Sequence, residues 1–310
     1  MNNFKVFLNK ANENWIADVF VKEIKKYSKL NISNTMKRSD IIWLIAPWSW
    51  KKLNIKTLKQ KKVLCTIHHI DLNKFDDIEK ENFYLRNEIV DAYHVISKDT
   101  EKILSKLVDK KIFYSPFWID SDKYFVIENK KLLREKFGYD NSTYLIGSFQ
   151  RDSEGSNLNL PKLSKGPDQF IEIIKYYQKI HEKIEIILTG YRRDYLINQL
   201  KLINVRYKYF ENVDFVTLNE LYNILDLYIV ASRVEGGPRS IFECALIKTP
   251  IISTDVGIAS DILNTKSIFN MDNYKLAEPD INYAYRKVMK YTIPNGFQPF
   301  YSILKEVYEN

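Results

Sequence analysis

The sequence predicts an α/β protein made of two Rossmann-like parallel-sheet domains facing a cleft. Three observations predict it. Strand-like and helix-like runs alternate through the first half of the chain, the alternation breaks between residues 117 and 136, and it restarts at Thr143. From Leu225 to Thr254 a buried-strand run, a Gly-Gly-Pro turn, a helix-like run and a second strand follow one another as a βαβ unit. At 310 residues the chain is long enough to bury two cores.

The elements follow in order. Lys5-Val-Phe-Leu8 reads as the first strand, and Glu13 to Tyr27 carries a helical stripe at Trp15, Ile16, Val19, Phe20 and Ile24. Ile41–Ala46, Val63–Ile67, Ala92–Ile96 and Ile112–Tyr114 are further strands, with helical or polar connections that suit parallel crossovers. Around Phe117-Trp-Ile-Asp120-Ser-Asp122-Lys-Tyr-Phe125 the pattern stops, and Val126 to Lys136 reads as a linker and lead-in. The second half opens with a strand at Thr143–Phe149, a polar loop from Gln150 to Lys165, a helix at Pro167–Tyr177 and a strand at Ile184–Thr189. Two more repeats reach the 225–254 unit, and Phe297 to Tyr308 reads as a closing helix. The domains are therefore expected at 1–125 and 126–290, with 291–310 as a separate last segment.

Composition narrows the class. Hydrophobic residues at 45% and charged residues at 28% are globular values that argue against disorder. The start, Met1-Asn-Asn-Phe-Lys5, lacks the apolar stretch of a signal peptide, and the most apolar run, Ile41 to Trp50, is too short to span a bilayer. Cys65 and Cys244 give neither a disulfide framework nor metal-ligand spacing. A cytoplasmic protein is expected. Residues 1–70 hold fourteen Lys or Arg and four Asp or Glu, a balance of +10, against +8 for the whole chain. Two readings stay open for that basic segment. It forms solvated lysine faces, or it attracts anionic lipid headgroups, a lipid-diphosphate acceptor or an acidic glycan. Nucleic acid is disfavoured because no binding motif is present.

All nine glycines lie at or after Gly138, which excludes a glycine-rich phosphate loop from the first half. Phosphate handling is assigned to the second half. There, Gly236 and Gly237 can take positive φ and let backbone approach a ligand closely, and Pro238 pre-sets a helical turn. The helix that starts near Arg239 and Ser240 offers free N–H groups and a partial positive charge to an anion. Glu235 and Glu243 flank this place eight positions apart; carboxylates repel phosphate and suit hydroxyls, which points to a sugar carrying a phosphate.

Ser232, Glu235, Gly236, Glu243, Pro250-Ile251-Ile252 and Gly257 resemble the donor-site signature of retaining glycosyltransferases of family 4, which have the GT-B fold. The resemblance is firm over roughly 143–265. It implies a metal-independent transferase that moves a sugar, with retention, from a nucleotide-diphosphate sugar, its co-substrate, to a hydroxyl acceptor, with no resident cofactor. It also implies a last helix that crosses back to the first domain. The expected acceptor is a glycan or lipid-linked glycan, and bacterial polysaccharide biosynthesis with peripheral contact at the inner membrane face would suit the basic first domain. By the same resemblance Glu235 meets the donor sugar and Glu243 the ribose. Arg151, Lys165, Gly236, Gly237, Arg239 and Ser240 hold the diphosphate, and the 211–215 loop borders the base. In Thr66-Ile67-His68-His69-Ile70-Asp71, His68 takes the place of a His that approaches the donor, and His69 stands where Asp is usual. Cys244 stands where Ala is usual.

One departure concerns the acceptor side. The family's Gly-Gly turn after the first strand is replaced by Asn9-Lys10-Ala11-Asn12-Glu13-Asn14, where Asn12 or Asn14 is expected to cap the next helix and meet the acceptor. Asp120-Ser121-Asp122 is read as a structural segment and not a metal-binding DxD. Two other functions compete: a nucleotide-sugar 2-epimerase, which needs more carboxylates than the four that precede Asp71, and an inactive relative that binds anionic glycan or lipid.

Overall fold

The computed structural model describes residues 4–13, 16–155 and 157–310. The chain divides into two compact units, residues 1–118 with 291–310, and residues 119–290.

The first unit contains β1 (Lys5–Leu8), α1 (Ile16–Tyr27), β2 (Asn31–Ile32), β3 (Ile41–Leu44), α2 (Ile55–Leu58), β4 (Lys62–Ile67), α3 (Asp77–Asn87), β5 (Ala92–Val95), α4 (Lys98–Leu104) and β6 (Lys111–Tyr114). Its sheet runs β2-β1-β3-β4-β5-β6, parallel throughout. All four residues of β3 are fully buried, as a central parallel strand covered on both faces requires. Side chains alternate between two cores. Ile41 and Trp43 pack with Phe20 and Ile24 of α1, and Ile42 and Leu44 pack with Leu58, Phe83 and Leu104.

The second unit contains α5 (Lys130–Lys136), β7 (Tyr144–Ser148), α6 (Pro167–Ile180), β8 (Ile184–Thr189), α7 (Asp194–Leu202), β9 (Arg206–Phe210), α8 (Phe215–Ile224), β10 (Leu227–Val230), α9 (Arg239–Ile247), β11 (Ile251–Thr254), α10 (Ala259–Ile262), β12 (Ile268–Phe269) and α11 (Ile281–Val288). Its parallel sheet runs β12-β11-β10-β7-β8-β9. Ile146, Ile186, Leu188, Leu227, Ile229 and Ile252 pack there with α6 and α7.

Two places differ from the sequence reading. Residues 130–136 form a helix, not a linker: Asn129, at φ 62°, caps it by accepting from the Leu132 N–H, and buried Arg134 donates to the Ile224 carbonyl at 3.0 and 2.8 Å. The first division between units falls after Trp118, whose indole donates to Glu23 at 2.8 Å. Phe125 and Ile127 already belong to the second unit, where their N–H groups donate to Asn219 and Asn223 of α8 at 3.1 and 2.8 Å.

The last helix, α12 (Gln298–Glu309), belongs to the first unit's core. Phe300, 1% exposed, stacks on Trp43 at 5.3 Å and on Phe117 at 5.7 Å, and meets the Trp118 ring edge-on at 5.1 Å. Phe300→Ala is expected to destabilise the first unit by about 3–5 kcal/mol, read from the shift of its guanidinium midpoint. A loss below about 1 kcal/mol would contradict this packing.

Candidate functional site

In the second sheet the strand order reverses between β7 and β10, and α/β sheets hold ligands outside the carboxyl ends of the strands at such a point. The residues the chain places there are Gln150 and Arg151 after β7, the turn 163–166 leading into α6, and residues 231–235 after β10. The first turn of α9 follows.

The turn 163–166 and the loop after β10 are locked together. Gly166 has φ +60°, and a Cβ there would stand 1.7 Å from the Ala231 carbonyl oxygen, so only glycine fits. That contact lets the Arg233 and Val234 N–H groups donate to the Ser164 carbonyl at 2.8 and 3.1 Å. Gln169 donates to the Ala231 carbonyl at 2.7 Å, and Gln150 donates to the Lys165 carbonyl at 3.1 Å. Arg233 forks onto Asp168 at 2.8 and 2.6 Å and donates to the Leu163 carbonyl at 3.0 Å. These bonds hold the Asp168 carboxyl below its ordinary range.

The result is a direct ion pair between Lys165 and Glu235, seventy positions apart in sequence, with both side chains largely buried. Ser232 donates to the same Glu235 oxygen at 3.3 Å. Arg151 is half-buried beside Gln150 and has no hydrogen-bond or ion partner among the described residues. Glu243, 7% exposed, accepts from the Tyr222 hydroxyl at 2.7 Å, and its Oε1 lies 3.9 Å from Nε of Arg239 one turn earlier. Burial and the Glu243 charge raise the Tyr222 phenol well above its usual range. Cys244 is buried behind this helix, with its thiol raised by burial and so unreactive.

Gly236 and Gly237 are not among the positive-φ residues; Gly166 and Gly257 are. A Cβ on Gly257, at φ +58°, would stand 2.4 Å from the Gly236 carbonyl oxygen. The close backbone approach therefore runs between Gly257 and Gly236, and the 236–237 turn itself needs no special φ.

In the first sheet the order reverses between β1 and β3. Buried Asn9 closes that point, donating to the Ala46 carbonyl at 2.8 Å and accepting from the Ala46 N–H at 3.0 Å. Asn12 does not cap α1. It is exposed at φ 59°, and Asp18 of α1 reaches back to accept from the N–H groups of Ala11, Asn12 and Glu13 at 3.1, 3.2 and 2.8 Å. Asn14 lies outside the described residues. His68 sits past the end of β4, partly buried, and His69 is exposed. Nε2 of His68 is 2.8 Å from the Ile45 carbonyl; a carbonyl only accepts, so this nitrogen carries the proton. Burial lowers the His68 pKa to about 4. Asp120 is buried, accepts from the Asp122 N–H at 3.1 Å and pairs with Lys123 at 3.3 Å. Among the described residues no group of three or more His, Cys, Asp or Glu is placed to hold a metal ion.

Local sequence signals missed Gln150, Asp168 and Arg233. Each acts through a partner far away in sequence, and only the lock between the two loops reveals them.

With this geometry the comparisons become informative. Residues 160–282 match the sequence model of the family described as glycosyl transferases group 1, and that segment contains Lys165, Glu235, Arg239 and Glu243. No curated protein sequence matches the chain. The fold is similar to that of HepE from Anabaena solved with UDP-glucose, at a TM-score of 0.73 and 14% identity over 97% of this chain and 99% of that one. It is similar to a glycosyltransferase from Rickettsia africae, at 0.62 and 17% identity over 97% and 84%. Sucrose-phosphate synthase from Thermosynechococcus elongatus gives 0.60 and 13% over 94% and 72%. The architecture is GT-B, two Rossmann-like α/β units, and the segment that matches the group 1 model lies within the second unit.

Two outcomes follow from the geometry. Gly166→Ala is expected to cost on the order of 1–3 kcal/mol from the left-handed backbone alone, measured by thermal denaturation. An unchanged melting temperature would refute the close approach to Ala231. His68 and His94 are both held neutral by burial, with pKa values lowered to about 4 and about 3. Folded values below the unfolded one mean that their stabilising contribution is complete above about pH 6.5 and is lost as pH falls toward 4. Imidazole NMR titration should show two of the four histidines still neutral at about pH 5; titration of all four near pH 6.5 would refute it.

Proposed function

We propose that this protein is a glycosyltransferase that moves a sugar from a nucleotide-diphosphate sugar to a hydroxyl acceptor with retention of configuration and without a metal ion. The observation that carries this reading is the Lys165–Glu235 pair at the β7–β10 reversal, next to the N-terminal turn of α9. The group 1 match spans it, and HepE, of the same fold, was solved with UDP-glucose, which makes a UDP-sugar the first donor to test.

The chemistry suits these groups. The bond from the sugar's anomeric carbon to the diphosphate breaks, the acceptor oxygen takes its place, and the acceptor's proton passes to the leaving phosphate. Negative charge develops on the diphosphate, and fixed cations and free N–H groups there lower the barrier. Lys165 and Arg151 supply charge, Arg239 and Ser240 open the α9 N-terminus, and Gly236 and Gly237 let backbone lie against the ligand. A diphosphate that draws Lys165 toward itself frees the Glu235 carboxylate to accept from donor-sugar hydroxyls. Glu243, anchored by Tyr222, is assigned to the ribose. His68 is assigned to the donor as a neutral imidazole, a hydrogen-bonding group and not a cation. The acceptor is a glycan or a lipid-linked glycan.

UDP at a hundred times its dissociation constant is expected to stabilise the protein by roughly 2.7 kcal/mol, a melting shift of about 4–8 °C, with or without EDTA. Glu235→Ala should lower transfer from a UDP-sugar by about 100-fold or more while the melting temperature holds. Near-normal turnover in that variant sinks the site assignment, and a shift abolished by EDTA sinks the metal-independent reading.

A further inference from the structure

We propose that the Tyr222 hydroxyl is a positioning group for the donor's ribose: it holds one oxygen of Glu243, leaves the other for the ribose hydroxyls, and makes the site select ribonucleotides over deoxyribonucleotides. The inference rests on the transferase reading, which assigns Glu243 to the ribose, and adds the group that orients it.

Tyr222 lies on α8 and Glu243 on α9, both within the second unit. Tyr222 is 2% exposed, and its ring packs against Phe149 at 4.7 Å and Tyr228 at 5.4 Å. Its carbonyl accepts from the Thr249 hydroxyl at 3.0 Å, and the Thr249 N–H donates to the Cys244 carbonyl at 2.9 Å, which ties the end of α9 to α8. Tyr228 in turn accepts from the Phe149 N–H at 2.9 Å. A ring fixed in this way delivers its hydroxyl to one place, Oε2 of Glu243 at 2.7 Å. Burial and the Glu243 charge both raise the phenol, so it keeps its proton and stays the donor.

The carboxylate is only partly used. It has about four acceptor positions. Among the described residues it accepts one hydrogen bond, at Oε2, while Oε1 has Nε of Arg239 at 3.9 Å, too long for a hydrogen bond. A buried phenol needs a partner, but a neutral carbonyl would serve it with less desolvation than a carboxylate that is itself 7% exposed. Packing of the phenol therefore does not account for an acid here. The neighbours of Glu243 along α9, Phe242 and Cys244, are buried as well, so the helix offers the acid no other polar partner there. An acid with one oxygen anchored and the other open, one turn after Arg239, suits a vicinal diol, whose hydroxyls both donate to it. A deoxyribose withdraws one of those donors and leaves the buried oxygen short, and sites built to bond a hydroxyl discriminate strongly against its loss.

The test is calorimetric titration of the full chain with UDP and with the 2′,3′-dideoxy analogue of UDP. The wild type is expected to favour UDP by about 100-fold or more. Tyr222→Phe keeps the ring and removes the hydroxyl. It should weaken UDP about 10-fold or more and the dideoxy analogue by less than about two-fold, since the lost bond acts only through the ribose hydroxyls. In a Glu243→Ala background the same change should have no further effect on UDP, because the hydroxyl acts through that carboxylate. Melting temperatures are taken first, and Glu243→Gln stands in if Tyr222→Phe does not fold. There the phenol holds the amide oxygen, and the preference for UDP should fall at least several-fold, as a neutral amide replaces a charged acceptor. Equal weakening of UDP and its analogue, an unchanged ratio in the variant, or equal wild-type affinity for both overturns the proposal and leaves Tyr222 a core residue. GDP, ADP or CDP with its own dideoxy analogue replaces UDP if UDP does not bind. If the wild type binds none of the four, the transferase reading fails and this inference falls with it, an outcome distinct from the three above.

Discussion

The seating of Gly166 against the Ala231 carbonyl is the constraint on which the candidate site depends. It is a backbone contact that no side chain survives, and it fixes the distance between the turn before α6 and the loop after β10. Once that distance is set, two N–H groups reach the Ser164 carbonyl and Arg233 reaches Asp168. The position of Lys165 then follows from the backbone and not from its own flexible side chain. Its Cα is thus fixed within reach of Glu235, and the only order still to be paid for is that of the lysine side chain itself.

A second fixed point stands behind the first. Arg193 and Asp152 form a fully buried ion pair at the ends of β7 and β8, at 2.7 Å. Arg193 also donates to the Ser148 and Thr189 carbonyls at 2.6 and 2.7 Å and to the Ser148 hydroxyl at 3.1 Å. Burial raises the Asp152 pKa, and the Arg193 charge opposes that rise. A buried pair adds little stability by itself, but a fully bonded one is rigid and specific. Here it pins residue 152, and with it the exit of β7 where Gln150 and Arg151 leave the sheet.

The fold was legible wherever the signal is local. Apolar runs bounded by polar connections marked the long strands, and the helices of 167–180, 239–247 and 298–309 matched their periodic stripes to within a few residues. Two-residue β2 is too short to show a period, and α5 hides because its evidence is a left-handed Asn129 cap and an arginine bonded to residue 224. In the site, Lys165, Glu235 and Glu243 were legible because motif and spacing carry them. Asp152 and Arg193, forty-one positions apart, were not, since single charges in polar loops carry no pattern. The glycines show the same limit. Composition placed them all in the second half, but which of them needs positive φ is decided by the carbonyl each one faces.

The two sheets also differ in what their carboxyl edges do with charge. In the first, the loop after β1 offers three N–H groups, a ready place for an anion, and the chain fills it with its own Asp18. The imidazole past β4 is neutral, and the one within β5 is neutral as well, held between Thr66 and the Ser115 carbonyl at 3.0 and 2.7 Å. That edge has no demand for a phosphate. In the second, the N–H groups that open α9 have no side-chain cap, and Arg239, Lys165 and Arg151 are gathered around the same reversal. A helix start without a side-chain cap, with cations nearby in the chain, suits an arriving anion. On the proposed reading, the negative charge of the ligand therefore goes to the second unit, whose edge carries the cations, and not to the first, whose anion place Asp18 already fills.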